Sequence, residues 1–127
     1  MDNIANLMSN MLNAEKIGKK ECTLKPSSII MRKVLDIMKM NGYIEGHEEI
    51  EDGKGGIIKV ILTGKINGCG VVKPRFSVKR NGFEKFEKRY LPAKGFGYLI
   101  VSTPKGLMTH VEAQEKGIGG RLISFFY

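Results

Sequence analysis

The run Tyr98-Leu99-Ile100-Val101-Ser102-Thr103-Pro104-Lys105-Gly106-Leu107-Met108-Thr109-His110-Val111-Glu112 packs three structural signals into fifteen residues. Tyr98 to Thr103 is apolar and rich in β-branched residues, the texture of a covered strand. Ser102 to Gly106 is a polar turn, in which Pro104 fixes φ and Gly106 tolerates conformations that a Cβ forbids. Thr109, followed three positions later by Glu112, is a capping box: the threonine side chain caps the backbone and the glutamate reaches back to it. The helix that starts there is short, because Gly117 stops it. Gly117-Ile118-Gly119-Gly120 has the composition of a phosphate cradle but follows a helix instead of preceding one, where free N–H groups would face an anion. It reads as a helix stop and a tight turn into a strand. That last strand, Arg121 to Tyr127, is apolar on both faces and belongs at the centre of a sheet or under a cover.

Working back toward the N-terminus, Val72, Pro74, Phe76 and Val78 alternate with Lys73, Arg75, Ser77 and Lys79, which predicts one strand with an apolar and a charged face. Asn81-Gly82 is a turn. Phe83, Phe86 and Tyr90 fit a short helix or an irregular segment with Lys85, Lys88 and Arg89 outward, ended by Pro92. Gly64, Gly68 and Gly70 mark a change of texture. Before them, Ile4, Leu7, Met8, Met11 and Leu12 make one helical stripe, with Asp2 as N-cap and Gly18 past the end. Glu21 to Lys25 alternates as a short strand with Cys22 and Leu24 inward. Pro26-Ser27-Ser28 opens a second helix striped by Ile30, Met31, Val34, Leu35 and Met38, and Gly42 ends it. Tyr43 to Glu51 and Ile57 to Leu62 read as strands joined by Asp52-Gly53-Lys54-Gly55-Gly56. The expected fold is α+β in two small modules. Residues 1–64 form an α-β-α-β-β unit with two helices on one face of a sheet, and residues 65–127 form a mainly β unit with short helices.

Charge is distributed unevenly over the 127 residues. Residues 1–64 hold 9 basic and 9 acidic side chains, whereas residues 65–127 hold 12 and 4, so the second half carries the whole net charge of +8. A one-sided basic field attracts polyanions, because each phosphate neutralised releases condensed counterions. The acidic run Glu45 to Asp52 reads as a solvated border that keeps a sheet edge from aggregating. No apolar run approaches the roughly 18–20 residues that cross a bilayer, and the N-terminus lacks the layout of a secretion signal. Two cysteines, Cys22 and Cys69, outside any CxxC pair, suit small buried apolar residues in a reducing compartment.

Catalytic signals are weak. There is no GxxxxGK[ST], HExxH or GxSxG, and His47 and His110 have no clustered third ligand, so no metal and no cofactor are expected. Ser102 or Thr103 with His110 is conceivable as a nucleophile–base pair, but no Asp lies near in sequence to orient the imidazole. The turn Ser102-Thr103-Pro104-Lys105-Gly106 is the better candidate site. Its hydroxyls donate and accept, its Gly106 admits a close backbone approach, and Lys105 offers a phosphate contact. The composition equally suits an ordinary surface turn.

Phe96 to His110, with Glu112-Ala113, Lys116 to Gly120 and Arg121-Leu122-Ile123, resembles the signature of the small-subunit ribosomal protein eight family. Asn3-Ile4-Ala5-Asn6-Leu7, Asn13-Ala14, Pro26-Ser27-Ser28, Asn41-Gly42-Tyr43-Ile44 and Lys73-Pro74-Arg75-Phe76 resemble it too, in order along the chain. Phe86 to Pro92 and Lys65-Ile66-Asn67 look like the archaeal and eukaryotic branch. The resemblance implies a non-enzymatic, cytoplasmic constituent of the small ribosomal subunit. Such a protein binds an irregular helix in the central domain of the small-subunit RNA, helps it assemble, and meets neighbouring ribosomal proteins, with no membrane and no small-molecule substrate. It implies RNA contacts at Ser102, Thr103, Lys105 and Gly106. Pro104 replaces the usual third Ser or Thr, and Arg121 stands where bacterial relatives often carry Glu. Lys73, Arg75, Lys79, Arg80 and Lys105 are expected to attract phosphates, and Asn3, Asn6 or Arg32 to add a smaller contact. A regulatory messenger-RNA binder that represses translation and a protein adaptor using the acidic hairpin and the Phe83/Phe86 segment are the competing readings.

Overall fold

The computed structural model describes residues 3–25, 28–51, 53 and 56–127, the side chain of Asn3 excepted. The expected Asp2 cap, the Pro26-Ser27 pair and Asp52, Lys54 and Gly55 of the expected hairpin turn lie outside the described residues. The architecture is α+β, and the chain divides into two compact units, Met1–Gly68 and Cys69–Tyr127. No helix among the described residues is long and apolar enough to cross a membrane.

The first unit runs α1 (Asn3–Lys16), β1 (Glu21–Leu24), α2 (Ile29–Met40), β2 (Ile44–Ile50) and β3 (Ile57–Leu62). The antiparallel sheet has the order β1-β3-β2. Alternation along β3 buries Ile58, Val60 and Leu62 and leaves Ile57, Lys59 and Ile61 half-exposed. The helices contact each other, α1 also packing on β1 and β3 and α2 on β2. Ile4, Leu7, Met8, Met11, Met31, Val34, Leu35 and Met38 close the core. Each such side chain contributes about 1.5–3 kcal/mol by leaving water. Ile37 joins them, while Ile30, expected in the stripe, is half-buried. Ser28 caps α2, its Oγ accepting from the Met31 N–H at 3.2 Å, which satisfies one of the orphan donors of the first turn. Glu15 Oε2 accepts from the Ile66 N–H at 3.0 Å and fixes the segment that leaves β3.

The second unit runs β4 (Cys69–Val71), β5 (Ser77–Val78), α3 (Glu84–Tyr90), β6 (Tyr98–Thr103), β7 (Gly106–Thr109), α4 (His110–Lys116) and β8 (Gly120–Phe126). Its antiparallel sheet is ordered β4-β8-β6-β7, with β5 also pairing β8. The doubly apolar β8 is central, as its composition predicts. Leu99, Val101, Met108 and Leu122 turn one sheet face onto Phe83, Phe86, Leu91 and Ala113.

Two expectations need correction here. Of the single strand expected over Val72 to Val78, only Ser77–Val78, β5, is strand; β4 ends at Val71, and residues 72–76 separate the two. Pro74 has no N–H to give a ladder, so pairing with β8 stops before it and resumes at Ser77. The residues after the polar turn form strand β7, which the sequence pattern did not reveal. Four residues are too few to display an alternation, and pairing with β6 decides their state.

Candidate functional site

The polar turn closes the β6–β7 hairpin, with Thr103 opposite Gly106 in the register. Thr103 Oγ1 donates to the Gly106 carbonyl at 2.8 Å and accepts from the Lys105 N–H at 3.1 Å. That hydroxyl holds the tip together: its proton is committed, one lone pair remains, and the residue is 9% exposed. Gly106 has φ of +111°, a conformation an L side chain rarely adopts, with open space around it. Pro104 and Lys105 are exposed at the tip.

Strand alternation sends Ser102 to the other face, where it is exposed. Its neighbours in the ladder are Leu107 on β7 and Arg121 on β8, and Arg121 is in turn opposite Ser77 on β5. Ser77, Arg121 and Ser102 therefore form one exposed row across three strands. Adjacent strands lie about 4.7–4.9 Å apart, so the three side chains can meet one ligand together. The Arg121 side chain makes no hydrogen bond or ion pair to a described residue, which leaves its guanidinium donors available.

The Gly119-Gly120 pair makes this row possible. A Cβ on Gly119 would collide with the Val78 carbonyl and lie 2.9 Å from Lys79 Cα. One on Gly120 would collide with the Ser102 carbonyl and lie 2.8 Å from Val101 Cγ1. The two glycines let β8 enter between β5 and β6, a close-packing role beyond that of a tight turn. Lys79 and Arg80 follow β5 directly and are exposed beside this entry. Lys73 and Arg75 are exposed in the segment between β4 and β5, off the ladder.

The remaining candidates belong to the first unit. Asn6 is exposed on α1, its carbonyl accepting from Asn10 Nδ2 at 2.8 Å. Arg32 on α2 is ion-paired with Glu49 at 2.9 Å. The side chain of Asn3 lies outside the described residues. Sequence reasoning did not single out Ser77, and it noted Arg121 only for its departure from relatives. The signal for Arg121 was a charge at the start of an otherwise apolar strand, whereas Ser77 sits among Lys73, Arg75 and Lys79 on a polar face and nothing in the sequence sets it apart.

The histidine considered for catalysis is otherwise engaged. His110 is 3% exposed; its Nδ1 accepts from the Leu99 N–H at 3.1 Å, so the proton sits on Nε2 and is donated to Glu87 Oε1 at 3.0 Å. Both ring nitrogens join α4 to β6 and α3, and neither faces a nucleophile. Replacing His110 by alanine would strand a buried N–H and a partly buried carboxylate. The expected cost is about 2 kcal/mol, read as a lower urea midpoint with unchanged slope. Burial foremost, then the Glu15 carboxylate, raises the Cys22 thiol pKa against the opposing Lys19 ammonium. Cys22 is thus a poor nucleophile. Cys69 is buried.

The capping box forms at α4 in modified form. Thr109 Oγ1 accepts from the Glu112 N–H at 3.2 Å, but the Glu112 carboxylate meets that hydroxyl at 3.4 Å instead of the Thr109 N–H. Compared with known families, residues 2–127 of this chain match the family model described as Ribosomal protein S8.

Proposed function

Because the chain belongs to the ribosomal protein S8 family, and so is a small-subunit ribosomal protein that binds ribosomal RNA, we propose that it docks on an irregular helix of the central domain of that RNA and helps the domain assemble. Its working surface is in residues 65–127, on the unit that carries the excess charge. The observation behind this reading is the exposed Ser77–Arg121–Ser102 row, which ends at a hairpin tip with an open glycine.

Duplex RNA hides its base edges in a deep, narrow major groove and displays 2′-hydroxyls and the remaining edges in a wide, shallow minor groove. A shallow row of small hydroxyls around one guanidinium fits that relief. Ser102 reads sugar and base-edge groups, Arg121 holds a phosphate or an acceptor pair, and Lys105 and Gly106 bring the tip against the backbone. Thr103 serves chiefly by shaping the tip. Lys73, Arg75, Lys79 and Arg80 add phosphate attraction, and Asn3, Asn6 and Arg32 a smaller contact from the first unit. Neighbouring ribosomal proteins complete its surroundings on cytoplasmic ribosomes of the archaeal and eukaryotic type.

Sucrose-gradient fractionation of a cell extract tests the assignment. The protein is expected to travel with small subunits and, when purified, to prefer a central-domain RNA fragment over an unrelated duplex of equal length. Sedimentation at the top of the gradient with no such preference would overturn it.

A further inference from the structure

Ser77 belongs to a second feature. Between β5 and the start of α3, Ser77, Lys79, Asn81, Gly82 and Lys85 rim a groove of about 230 Å³ that Val78 and Phe86 also line. An adjoining hollow of about 390 Å³ shares Asn81, Gly82 and Lys85 and extends to Glu84 and Lys88. The side chains of Ser77, Lys79 and Asn81 make no hydrogen bond or ion pair to a described residue. Lys85 Nζ lies 5.0 Å from the Phe86 ring centroid and has no carboxylate partner among the described residues. Lys88 and Glu84 pair at 3.6 Å, both strongly exposed, a contact that solvent leaves weak.

The geometry points to this groove as a track for one RNA sugar-phosphate strand, an inference that rests on the RNA-binding reading above. Two uncompensated ammonium groups, a hydroxyl and a carboxamide ring a concave site, a donor set that suits phosphodiester oxygens. Its apolar floor is buried, with Val78 and Phe86 each 6% exposed, so no ring face is offered to a base. The contact is therefore with the backbone and independent of sequence. Glu84 at the far end keeps the strand toward Lys79 and Lys85. Ser77 joins the groove to the row, since it is the ladder partner of Arg121. An RNA read at Ser102 and Arg121 thus passes one strand directly into the groove. An acidic polypeptide would find the same charges, but the groove floor offers its side chains little apolar surface, Val78 and Phe86 each being 6% exposed.

The test measures binding of a central-domain RNA fragment over a salt series. It compares the wild type with K79Q/K85Q and with K20Q/K39Q, which removes two exposed lysines from the first unit. K79Q/K85Q is expected to bind about tenfold more weakly near physiological salt, with the slope of log K against log salt shallower by about 2. Its preference over an unrelated duplex should be retained, and circular dichroism should show an unchanged fold. A K79Q/K85Q slope equal to that of the wild type or of K20Q/K39Q overturns the groove assignment. The docking reading then stands if S102A/R121Q loses the preference. Conversely, a wild type without any preference removes the docking reading, while the K79Q/K85Q slope on either RNA still decides the groove. Polyglutamate that displaces RNA as well as an RNA of equal charge does would assign the groove to acidic polypeptide and overturn the RNA track.

Discussion

Replacing Gly120 by alanine is expected to lower the stability of the C-terminal unit by about 3 kcal/mol, the upper range of overpacking changes, and to cost most of the specific RNA affinity. The substitution adds one methyl group to a residue that is only half-buried. The new Cβ, however, would occupy the place of the Ser102 carbonyl and press on Val101 Cγ1 at 2.8 Å. Both neighbours belong to β6, and one is backbone, so no side-chain rotation relieves the overlap. Relief requires β8 to move off β6. That separates Arg121 from Ser102 and disturbs the Val101–Leu122 pair in the core. Against a whole-domain stability of about 5–15 kcal/mol, the loss is large. Gly46→Ala in the first unit is the matching control: its Cβ would meet nothing closer than 3.9 Å, at the flexible end of Lys39. Urea titration of both variants, with amide hydrogen exchange along the β6–β8 ladder, makes the comparison. Equal midpoints for the two variants would remove the close-approach account of Gly120.

The same glycine shows where sequence reading stops. Helical stripes and caps depend on neighbours within a turn or two, so both helices of the first unit, the Ser28 opening of α2 and the Thr109 capping of α4 were legible. The α+β class follows from them and from the strands around them. What bears on the site is non-local. Neither the union of Ser77, Arg121 and Ser102 nor the entry of β8 between β5 and β6 is written in any short segment, because each depends on register between strands distant in sequence. Gly119-Gly120 was legible as a turn and silent about what lies against it. β7 was hidden for a related reason, its four residues owing their state to β6. Thr103 carries a further lesson. Composition marks it as a hydroxyl for recognition, but a hydroxyl two residues before a backbone N–H is also placed to bond it, and this one does. Residue type put Ser102, Lys105, Gly106, Lys79 and Arg80 among the candidates. Register and packing add Arg121, Ser77 and the rim of the proposed groove to them.

R121Q is expected to weaken binding to a central-domain RNA fragment by about 10- to 100-fold, corresponding to loss of charge-assisted hydrogen bonds of about 1.5–3 kcal/mol. S102A is expected to weaken it about fivefold, near the net value of one neutral hydrogen bond. Both side chains are exposed and neither bonds a described residue, so urea midpoints should stay near the wild-type value. The two substitutions also differ in kind. Removing a cation that contacts phosphate makes the salt slope shallower by about 1, whereas removing a neutral hydroxyl leaves the slope intact. Because the two residues are ladder partners, their effects should not add: in S102A/R121Q the second loss should be smaller than the first predicts, as for two groups that grip one ligand. If both single variants bind as the wild type does, the sheet row is not the reading surface. If R121Q weakens binding to every duplex alike while S102A changes nothing, Arg121 is an electrostatic anchor and discrimination lies elsewhere, with the Lys105–Gly106 tip the next place to substitute.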